Sequence, residues 1–209
     1  GPAGVFVWDI KHRQIKYHLE KELSSPQVSM LAVENNQKLW VGTQNNGISL
    51  FNMTTNKVEQ FLSLEQSVLP LTSNSIFSIF IDAQNKKWIG TTRGGINIID
   101  DNRHNFNAQR NQLKHALNLS KQFIRSFGES KGYIWIGTEG NGLYCWDRSK
   151  NNYRHFKKDG RQFLDNTINS IVADAQGDVW LATERGIVRH DLKTGFKHYQ
   201  CITKHGTVN

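Results

Sequence analysis

The tetrapeptide Trp40-Val41-Gly42-Thr43 returns three times along the chain. Its near-copies are Trp88-Ile89-Gly90-Thr91, Trp135-Ile136-Gly137-Thr138 and Trp180-Leu181-Ala182-Thr183, so the tryptophans stand 48, 47 and 45 residues apart. In each copy a glycine a few residues later opens a second alternating stretch, as Gly47-Ile48-Ser49-Leu50 does. Two such strands joined by a short glycine loop are typical of a β-hairpin. A self-similar period of this length indicates a repeat architecture.

The residues around each hairpin predict two further strands per repeat. An apolar run precedes each tryptophan, as at 28–33, and an alternating outer strand follows the hairpin, as at 58–61. Four short strands separated by polar turns are typical of an all-β fold. The outer strand of the second complete repeat is predicted near Phe106, and a turn or two of helix is predicted at 112–117.

The start of the chain belongs to the same pattern. Gly4 to Asp9 matches Gly142 to Asp147 position for position, so the chain opens on the third strand of a repeat. We therefore expect one β-propeller segment over 1–209, because four-stranded units with two apolar faces must stack on neighbours and radial stacking produces a propeller. The segment is divided into a partial blade at 1–23, blades at 24–66, 67–115, 116–161 and 162–203, and the start of a further connection at 204–209.

The repeated tryptophans and glycines are expected to serve packing. A buried tryptophan removes about 150–250 Å² of surface from water, so we expect each indole to pack between neighbouring blades. Gly42, Gly90 and Gly137 lie two residues further on, where a neighbour must approach closely, and Ala182 is the small substitute in the last repeat. The hairpin glycines are expected to supply the positive φ of tight turns.

The composition fits one globular domain, and it favours neither a membrane span nor nucleic-acid binding. No run of about 18 apolar residues and no signal peptide is present, so membrane attachment is expected only through segments outside this chain. The net charge is +8, but the basic residues are scattered over predicted turns and outer strands, which favours solvated edges over nucleic-acid binding. Cys145 and Cys201 occupy non-equivalent positions in the repeat, which favours two separate thiols over a disulfide.

The full pattern resembles the two-component regulator propeller repeat. Its parts are an apolar strand ending in Asp or Glu, a polar turn, Trp-Ile-Gly-Thr, a glycine pair, a strand ending in an aromatic residue and Asp, and then Phe and Tyr. The resemblance covers nearly the whole chain. That family occurs in the periplasmic sensor regions of hybrid histidine kinases and of some diguanylate cyclases.

The resemblance implies a ligand-sensing segment of an inner-membrane receptor, in the periplasm, that recognises a glycan or another nutrient. It also implies seven-bladed rings, which at this period need more than about 300 residues, whereas this chain accounts for about four and a half blades. We therefore expect either a part of a larger ring or the self-association of several copies through exposed end blades.

Ligands of propellers usually bind at the mouth of the central channel, close to the loops between the second and third strands. The residues of these loops differ from blade to blade, as a recognition surface would, although any solvated loop has a similar composition. The candidate contacts in the loops are Gln44, Asn45, Arg93, Glu139, Asn141, Glu184 and Arg185.

Arg125 is the remaining candidate contact. We align it with Met30, Ser78 and Ser170 in the other first strands, which makes an arginine exceptional at this position. A guanidinium facing the channel suits an anion or a carboxylate. A local salt bridge to Glu129 or Glu139 is the alternative.

The sequence gives little support for catalysis, a metal or a cofactor. His155 and His198 share one outer-strand position, which reflects the repeat rather than metal ligation. Asp82 and Asp174 resemble the carboxylate pair of a glycosidase, but they end equivalent strands, where we expect them, with Glu34 and Glu129, to cap turns. We expect no enzyme activity and no cofactor; a protein-interaction scaffold is the alternative function, followed by a glycan lyase or hydrolase.

Overall fold

The chain folds into strands alone over the residues that the computed structural model describes. These are 4–62, 71–100, 119, 121–159, 163, 165–199, 202–203 and 206–207. The all-β prediction is confirmed, because every regular element in these ranges is a β-strand. Within the same ranges no helix has the length and apolarity that crossing a membrane requires.

The strands form antiparallel sheets in chain order. An opening hairpin contains β1 (Val5–Asp9) and β2 (Gln14–Leu19). Blade 1 contains β3 (Val28–Glu34), β4 (Lys38–Thr43), β5 (Ile48–Asn52) and β6 (Lys57–Leu62). Blade 2 contains β7 (Ile76–Ile81), β8 (Lys87–Thr91) and β9 (Gly95–Ile99). Blade 3 contains β10 (Ile124–Ser130), β11 (Tyr133–Thr138), β12 (Leu143–Asp147) and β13 (Asn152–Phe156). Blade 4 contains β14 (Ile168–Ala173), β15 (Val179–Thr183), β16 (Gly186–Asp191) and β17 (Gly195–Tyr199), and a short hairpin of β18 (Ile202–Thr203) and β19 (Gly206–Thr207) follows it.

Three predictions fall on residues that the structure does not describe. These are the outer strand near Phe106, the helical turn at 112–117 and the state of Cys201. Cys145 is a free, buried thiol, and its burial raises its pKa to about 11.

The blades are arranged around their first strands. β3 contacts β7, β7 contacts β10, and β10 contacts β14. Each sheet therefore brings its first strand closest to its neighbours, as the innermost strands of a propeller do. Between adjacent blades lie separate apolar clusters, so the core is a series of interfaces rather than one centre.

The repeated tryptophans lie in these interfaces, as predicted. Trp40, Trp88 and Trp135 are at most 4% exposed. The ring of Trp88 lies 5.5 Å from that of Trp146 in blade 3, and Trp135 lies 4.9 Å from His190 in blade 4. A tryptophan on the second strand of one blade thus packs against a residue on the third strand of the next.

The glycine after each buried tryptophan makes room for the following blade. A Cβ on Gly42 would lie 2.7 Å from Cγ2 of Ile76, and one on Gly137 would lie 2.8 Å from Cβ of Ile168. Ala182 occupies the equivalent place in blade 4, where it is exposed and meets no further blade. The hairpin glycines Gly47 and Gly142 have φ values of 74° and 82°, which confirms their predicted role in the turns.

A carboxylate six residues before the tryptophan fixes the indole in three blades. The indole N–H of Trp88 donates to Asp82 at 2.8 Å, and that of Trp180 donates to Asp174 at 2.7 Å. The other oxygen of each aspartate accepts two amides of the adjoining turn, so both residues cap turns as predicted. Each aspartate therefore joins its turn to its tryptophan.

Glu34 departs from the predicted role of turn cap, because its longer side chain reaches past the turn. Its carboxylate accepts from the indole of Trp40 at 2.8 Å and lies 2.6 Å from Nζ of Lys87 in blade 2. Burial raises the pKa of Glu34, but hydrogen bonds from Lys87, Trp40 and Asn85 outweigh it, so that the pKa is lowered overall. This carboxylate connects two blades.

Glu129 also departs from that role. It bonds to Arg148 at 2.8 Å and to the amide of Ala83 in blade 2 at 2.8 Å. The indole nitrogen of Trp135 consequently has no partner among the described residues, and neither has Nδ1 of the adjoining His190. In the part of the chain that the structure describes, two buried nitrogens of the interface between blades 3 and 4 thus lack hydrogen bonds.

Replacing Gly137 with alanine is expected to lower the free energy of unfolding by about 1–3 kcal/mol, because the new methyl group overfills the interface between blades 3 and 4. Urea-induced unfolding measures the change. Ala182→Gly is the matched control at the exposed equivalent position, where only about 0.5–1 kcal/mol of backbone entropy is at stake. A neutral or stabilising Gly137→Ala would contradict the packing described.

Replacing His190 with phenylalanine, the residue at the equivalent Phe51, is expected to reduce the pH dependence of stability. Burial, and then the charge of Arg154, lower the pKa of His190 below its ordinary value. As the pH falls, this histidine is therefore protonated in the unfolded chain before it is protonated in the folded chain. Its protonation leaves the free energy of unfolding unchanged above about pH 6.5 and lowers it as the pH drops below that value. Unfolding free energies at pH 7.5 and 5.5 should differ less in His190→Phe than in the wild type; an equal difference would contradict this account.

Candidate ligand site at the loop end of the blades

A bulge interrupts the first strand of every complete blade. The pairing with the second strand shifts between Val28 and Met30, and it shifts at the same place in the other three blades. The residues inserted by these shifts are Ser29, Phe77, Arg125 and Asn169. A bulge turns a side chain away from the regular pleat, and bulges are enriched beside binding sites. We call these four residues the bulge row.

The strand pairing corrects the alignment of Arg125. Its equivalents are Ser29, Phe77 and Asn169, whereas Met30, Ser78 and Ser170 align with Ser126. The error was one residue, because the turn between the first two strands is one residue shorter in blade 3 than in blade 1. An arginine is still exceptional at this position.

Ser78 and Ser126 have a structural role instead. The hydroxyl of Ser78 donates to the carbonyl of Ile124 at 2.9 Å, and that of Ser126 donates to the carbonyl of Ile168 at 3.1 Å. Each bond joins the first strand of one blade to the first strand of the next.

Arg125 connects three blades at the loop end. Its guanidinium lies 5.3 Å from the ring centre of Phe77 in blade 2. It pairs with Glu139 of its own blade at 2.9–3.0 Å and donates to Asn169 of blade 4 at 2.9 Å. Of the two alternatives for this residue, the local salt bridge to Glu139 is present. Its side chain is 27% exposed and that of Glu139 is 43% exposed, so the pair is accessible to a ligand.

A cavity of about 240 Å³ adjoins the row between blades 1 and 2. Its lining comprises Ser29, Gln44, Asn45, Ser75, Ile76, Phe77 and Thr92. Two predicted contacts, Gln44 and Asn45, thus lie with two members of the bulge row. Ser75 donates to the side-chain oxygen of Asn45 at 3.0 Å, which holds this wall of the cavity in place.

The other predicted loop residues have local contacts. The guanidinium of Arg93 lies 5.4 Å from the ring centre of Phe123. Asn141 donates to the hydroxyl of Tyr144 at 2.8 Å, which holds its side chain against its own blade. The amide of Arg185 donates to Asp165 at 3.1 Å, and Glu184 beside it is exposed. The structure therefore groups Arg125 and Glu139 with the bulge row, whereas Arg93, Asn141 and Arg185 contact other residues.

The bulge row offers a mixed polar and aromatic surface. Phe77 is 38% exposed, and an exposed ring with hydroxyl and amide groups beside it can stack on an apolar ligand face while it hydrogen-bonds the rim. An exposed ion pair such as Arg125–Glu139 contributes only about 0–1 kcal/mol, so a ligand carboxylate can replace Glu139 at low cost. Within the described residues no group of His, Cys, Asp or Glu is arranged to hold a metal ion.

Sequence reasoning missed Phe77, Asn169 and Ser29. The signal was available only through the pairing register, because each residue looks like an ordinary member of an apolar or polar strand. Phe77 in particular stands within the apolar run 76–81, where nothing distinguishes an exposed ring from a core ring.

The antiparallel sheets, their adjacent first strands and the aromatic interfaces define a β-propeller array with its loop site at one end. Residues 162–185 match the family model described as the two-component regulator propeller. The resemblance noted from the sequence is thus confirmed over residues 162–185.

This chain spans less than a third of the length of three known proteins that resemble it in sequence or structure. A histidine kinase of Formosa agariphila is 25% identical over 172 residues, which are 77% of this chain and 12% of that protein. The extracellular domain of a B. thetaiotaomicron protein described as a hybrid two-component system superposes with a TM-score of 0.73 at 21% identity, over 99% of this chain and 26% of that one. PorZ, a surface component of the type-IX secretion system of Porphyromonas gingivalis, gives a TM-score of 0.64 at 18% identity, over 90% of this chain and 29% of that one.

Proposed function

We propose that this chain is the ligand-sensing, extracytoplasmic propeller segment of a membrane-bound signalling receptor of the two-component or diguanylate cyclase type. The ligand is a glycan or a similar nutrient that binds at the bulge row. The periplasm is the proposed location, with the receptor held in the inner membrane by segments outside this chain.

The bulge row is the observation that carries this proposal. Four bulges at one strand position bring a ring, a guanidinium, an amide and a hydroxyl to one end of four blades, next to an open cavity. A sugar ring presents an apolar face and a hydroxylated rim, which matches an aromatic group with polar neighbours. The repeat family and the likeness to a histidine kinase and to an extracellular sensor domain support the receptor context.

Arg125 is the residue through which ligand binding would change the packing of the blades. Its side chain contacts Phe77 of blade 2 and Asn169 of blade 4, so a ligand that takes the guanidinium changes contacts across three blades. A ligand can shift the equilibrium between two arrangements of the blades only as far as its affinities for the two arrangements differ. The carboxylate of an acidic sugar would compete with Glu139 for the same guanidinium.

A thermal-unfolding screen against neutral oligosaccharides and uronic-acid-containing oligosaccharides tests the proposal. A ligand at 100 times its Kd stabilises the folded state by about 2.7 kcal/mol, which raises the Tm by several degrees in a chain of this size. Phe77→Ala should abolish the shift with both sugar types, since it removes the stacking surface. Arg125→Gln should reduce the shift with the acidic sugars alone.

Tyr153→Ala is the matched control for this screen. Tyr153 is an exposed ring of similar accessibility (39%) on the outer strand β13, so its loss should leave every ligand shift unchanged. The proposal fails if no sugar raises the Tm, or if Phe77→Ala responds to sugars as fully as the wild type does.

A protein-interaction scaffold is the second candidate function. The likeness to PorZ, described as a bacterial surface component of a secretion system, favours it, as do the exposed apolar residues Val172 and Ile187 on the last blade. A stable protein partner in a pull-down, together with no ligand-dependent change in Tm, would favour this function over sensing.

A further inference from the structure

Another cavity, of about 340 Å³, opens between blades 3 and 4 at the end of the blades away from the bulge row. Tyr133, Asp147 and Asn152 line it, and they pair side by side where β11, β12 and β13 meet their turns. Arg125 lies at the other end of β11, beside Thr138. The cavity is therefore separate from the proposed sensing site, and its volume is in the range of small-molecule sites.

The cavity wall includes Arg154, a cation that pairs with no carboxylate among the described residues. The arginine ion pairs in those ranges belong to Arg125, Arg148 and Arg189. The guanidinium of Arg154 instead lies 5.8 Å from the ring centre of Tyr133 and 5.7 Å from that of Phe156. Contacts with rings position the guanidinium and leave N–H groups available to an oxygen ligand.

The positive charge of Arg154 acts on two neighbouring groups. Burial raises the pKa of Cys145 and lowers the pKa of His190 in blade 4. The charge of Arg154 is the next cause in both cases, and it lowers both pKa values. A nearby cation disfavours protonation in this way, whereas a carboxylate paired with it would cancel much of the effect.

The other charged residues of the cavity are Lys150 and Asp147. Asp147 is engaged by its own turn, where it accepts from the amides of Ser149 and Lys150 and from the hydroxyl of Ser149 at 2.7–3.2 Å. Its carboxylate is thereby held away from the role of partner to Arg154. The described lining thus has two cations and one carboxylate, which favours an anionic ligand.

Blade 4 contributes an apolar wall. Leu192 lines the cavity and is 40% exposed. It occupies the position that Arg148 has in the preceding repeat, and Arg148 crosses to Asp82 of blade 2. A leucine cannot form such a bond. The cavity therefore combines an aliphatic side chain and the ring of Tyr133 with the charge of Arg154.

We propose that this cavity binds a small aromatic carboxylate, with its carboxylate on Arg154 and its ring against Tyr133 and Leu192. A guanidinium forms paired hydrogen bonds with a carboxylate, and an aromatic ring gains by stacking on a tyrosine. A sugar acid has the same charge but no flat apolar ring, so it would leave Tyr133 and Leu192 uncovered. The proposal does not depend on the sensing site at the bulge row, so either can fail without the other.

Thermal unfolding with benzoate, benzyl alcohol and glucuronate as probes tests the class of ligand, at an ionic strength held constant with sodium chloride. Benzoate should raise the Tm along a saturation curve, as a ligand of the folded state does. Benzyl alcohol has the ring without the charge, and glucuronate has the charge without the ring. Each should need at least about tenfold higher concentration for the same shift, because it lacks one of the two contacts.

Three variants, each compared with its own ligand-free Tm, test the place of binding. Arg154→Gln should abolish the benzoate shift, and so should Leu192→Glu, which supplies a competing carboxylate from the protein while it keeps the arginine. Lys197→Gln is the matched control. Lys197 holds the position equivalent to Arg154 in blade 4 and lies 5.2 Å from the ring centre of Tyr199, so its loss should leave the shift intact.

The outcomes separate the proposal from non-specific anion binding. Circular dichroism verifies that each variant is folded, and Leu192→Glu, at an exposed position, decides alone if Arg154→Gln does not fold. The absence of a saturable benzoate shift, a glucuronate shift equal to that of benzoate, or a benzoate shift that survives in Leu192→Glu would each overturn the proposal. Equal losses in Arg154→Gln and Lys197→Gln would overturn it as well.

Discussion

The structure depends on a tryptophan that packs between two sheets while a carboxylate six residues earlier fixes its indole. Burying about 150–250 Å² of ring surface at about 25 cal/mol per Å² gives a gross gain of roughly 4–6 kcal/mol for each interface. The carboxylate also fixes the orientation of the indole, since Asp82 accepts hydrogen bonds both from the indole N–H of Trp88 and from the amides of its own turn. Packing and turn geometry are therefore specified together in blades 2 and 4.

The same arrangement explains where neighbouring blades are joined by charge. In blade 3, Arg148 contacts Asp82 of blade 2 as well as Glu129 of its own blade. The turn between the first two strands is one residue shorter in blade 3 than in blade 1, so Glu129 pairs with Ile134 and lies on the face opposite Trp135. Among the described residues, the indole of Trp135 therefore lacks the hydrogen bond that Trp88 and Trp180 keep. The length of one turn thus decides whether the carboxylate six residues earlier reaches the indole.

The repeat, its hairpins and its buried tryptophans could be predicted from the sequence because each rests on local spacing. The position of Arg125 was predicted one residue out of register, because the shorter turn of blade 3 changes how its first two strands pair. Phe77 was not singled out, because a bulge depends on how two strands pair and leaves no mark on either strand. The spacing of six between Asp82 and Trp88 was present in the sequence, but in blade 3 the same spacing places the carboxylate on the other face of its strand. The candidate site is thus the part of the structure that was predicted least well from the sequence.

Comparing two tryptophan substitutions tests the central claim most directly. Trp88→Ala should lower the free energy of unfolding by about 3–5 kcal/mol, since the ring is 1% exposed between two blades. Trp8→Ala, measured at a concentration where the chain is monomeric, should change it by no more than about 0.5 kcal/mol, because that ring is 56% exposed. Equal losses at the two positions, or a small loss at Trp88, would contradict the account of a propeller held together by its repeated indoles.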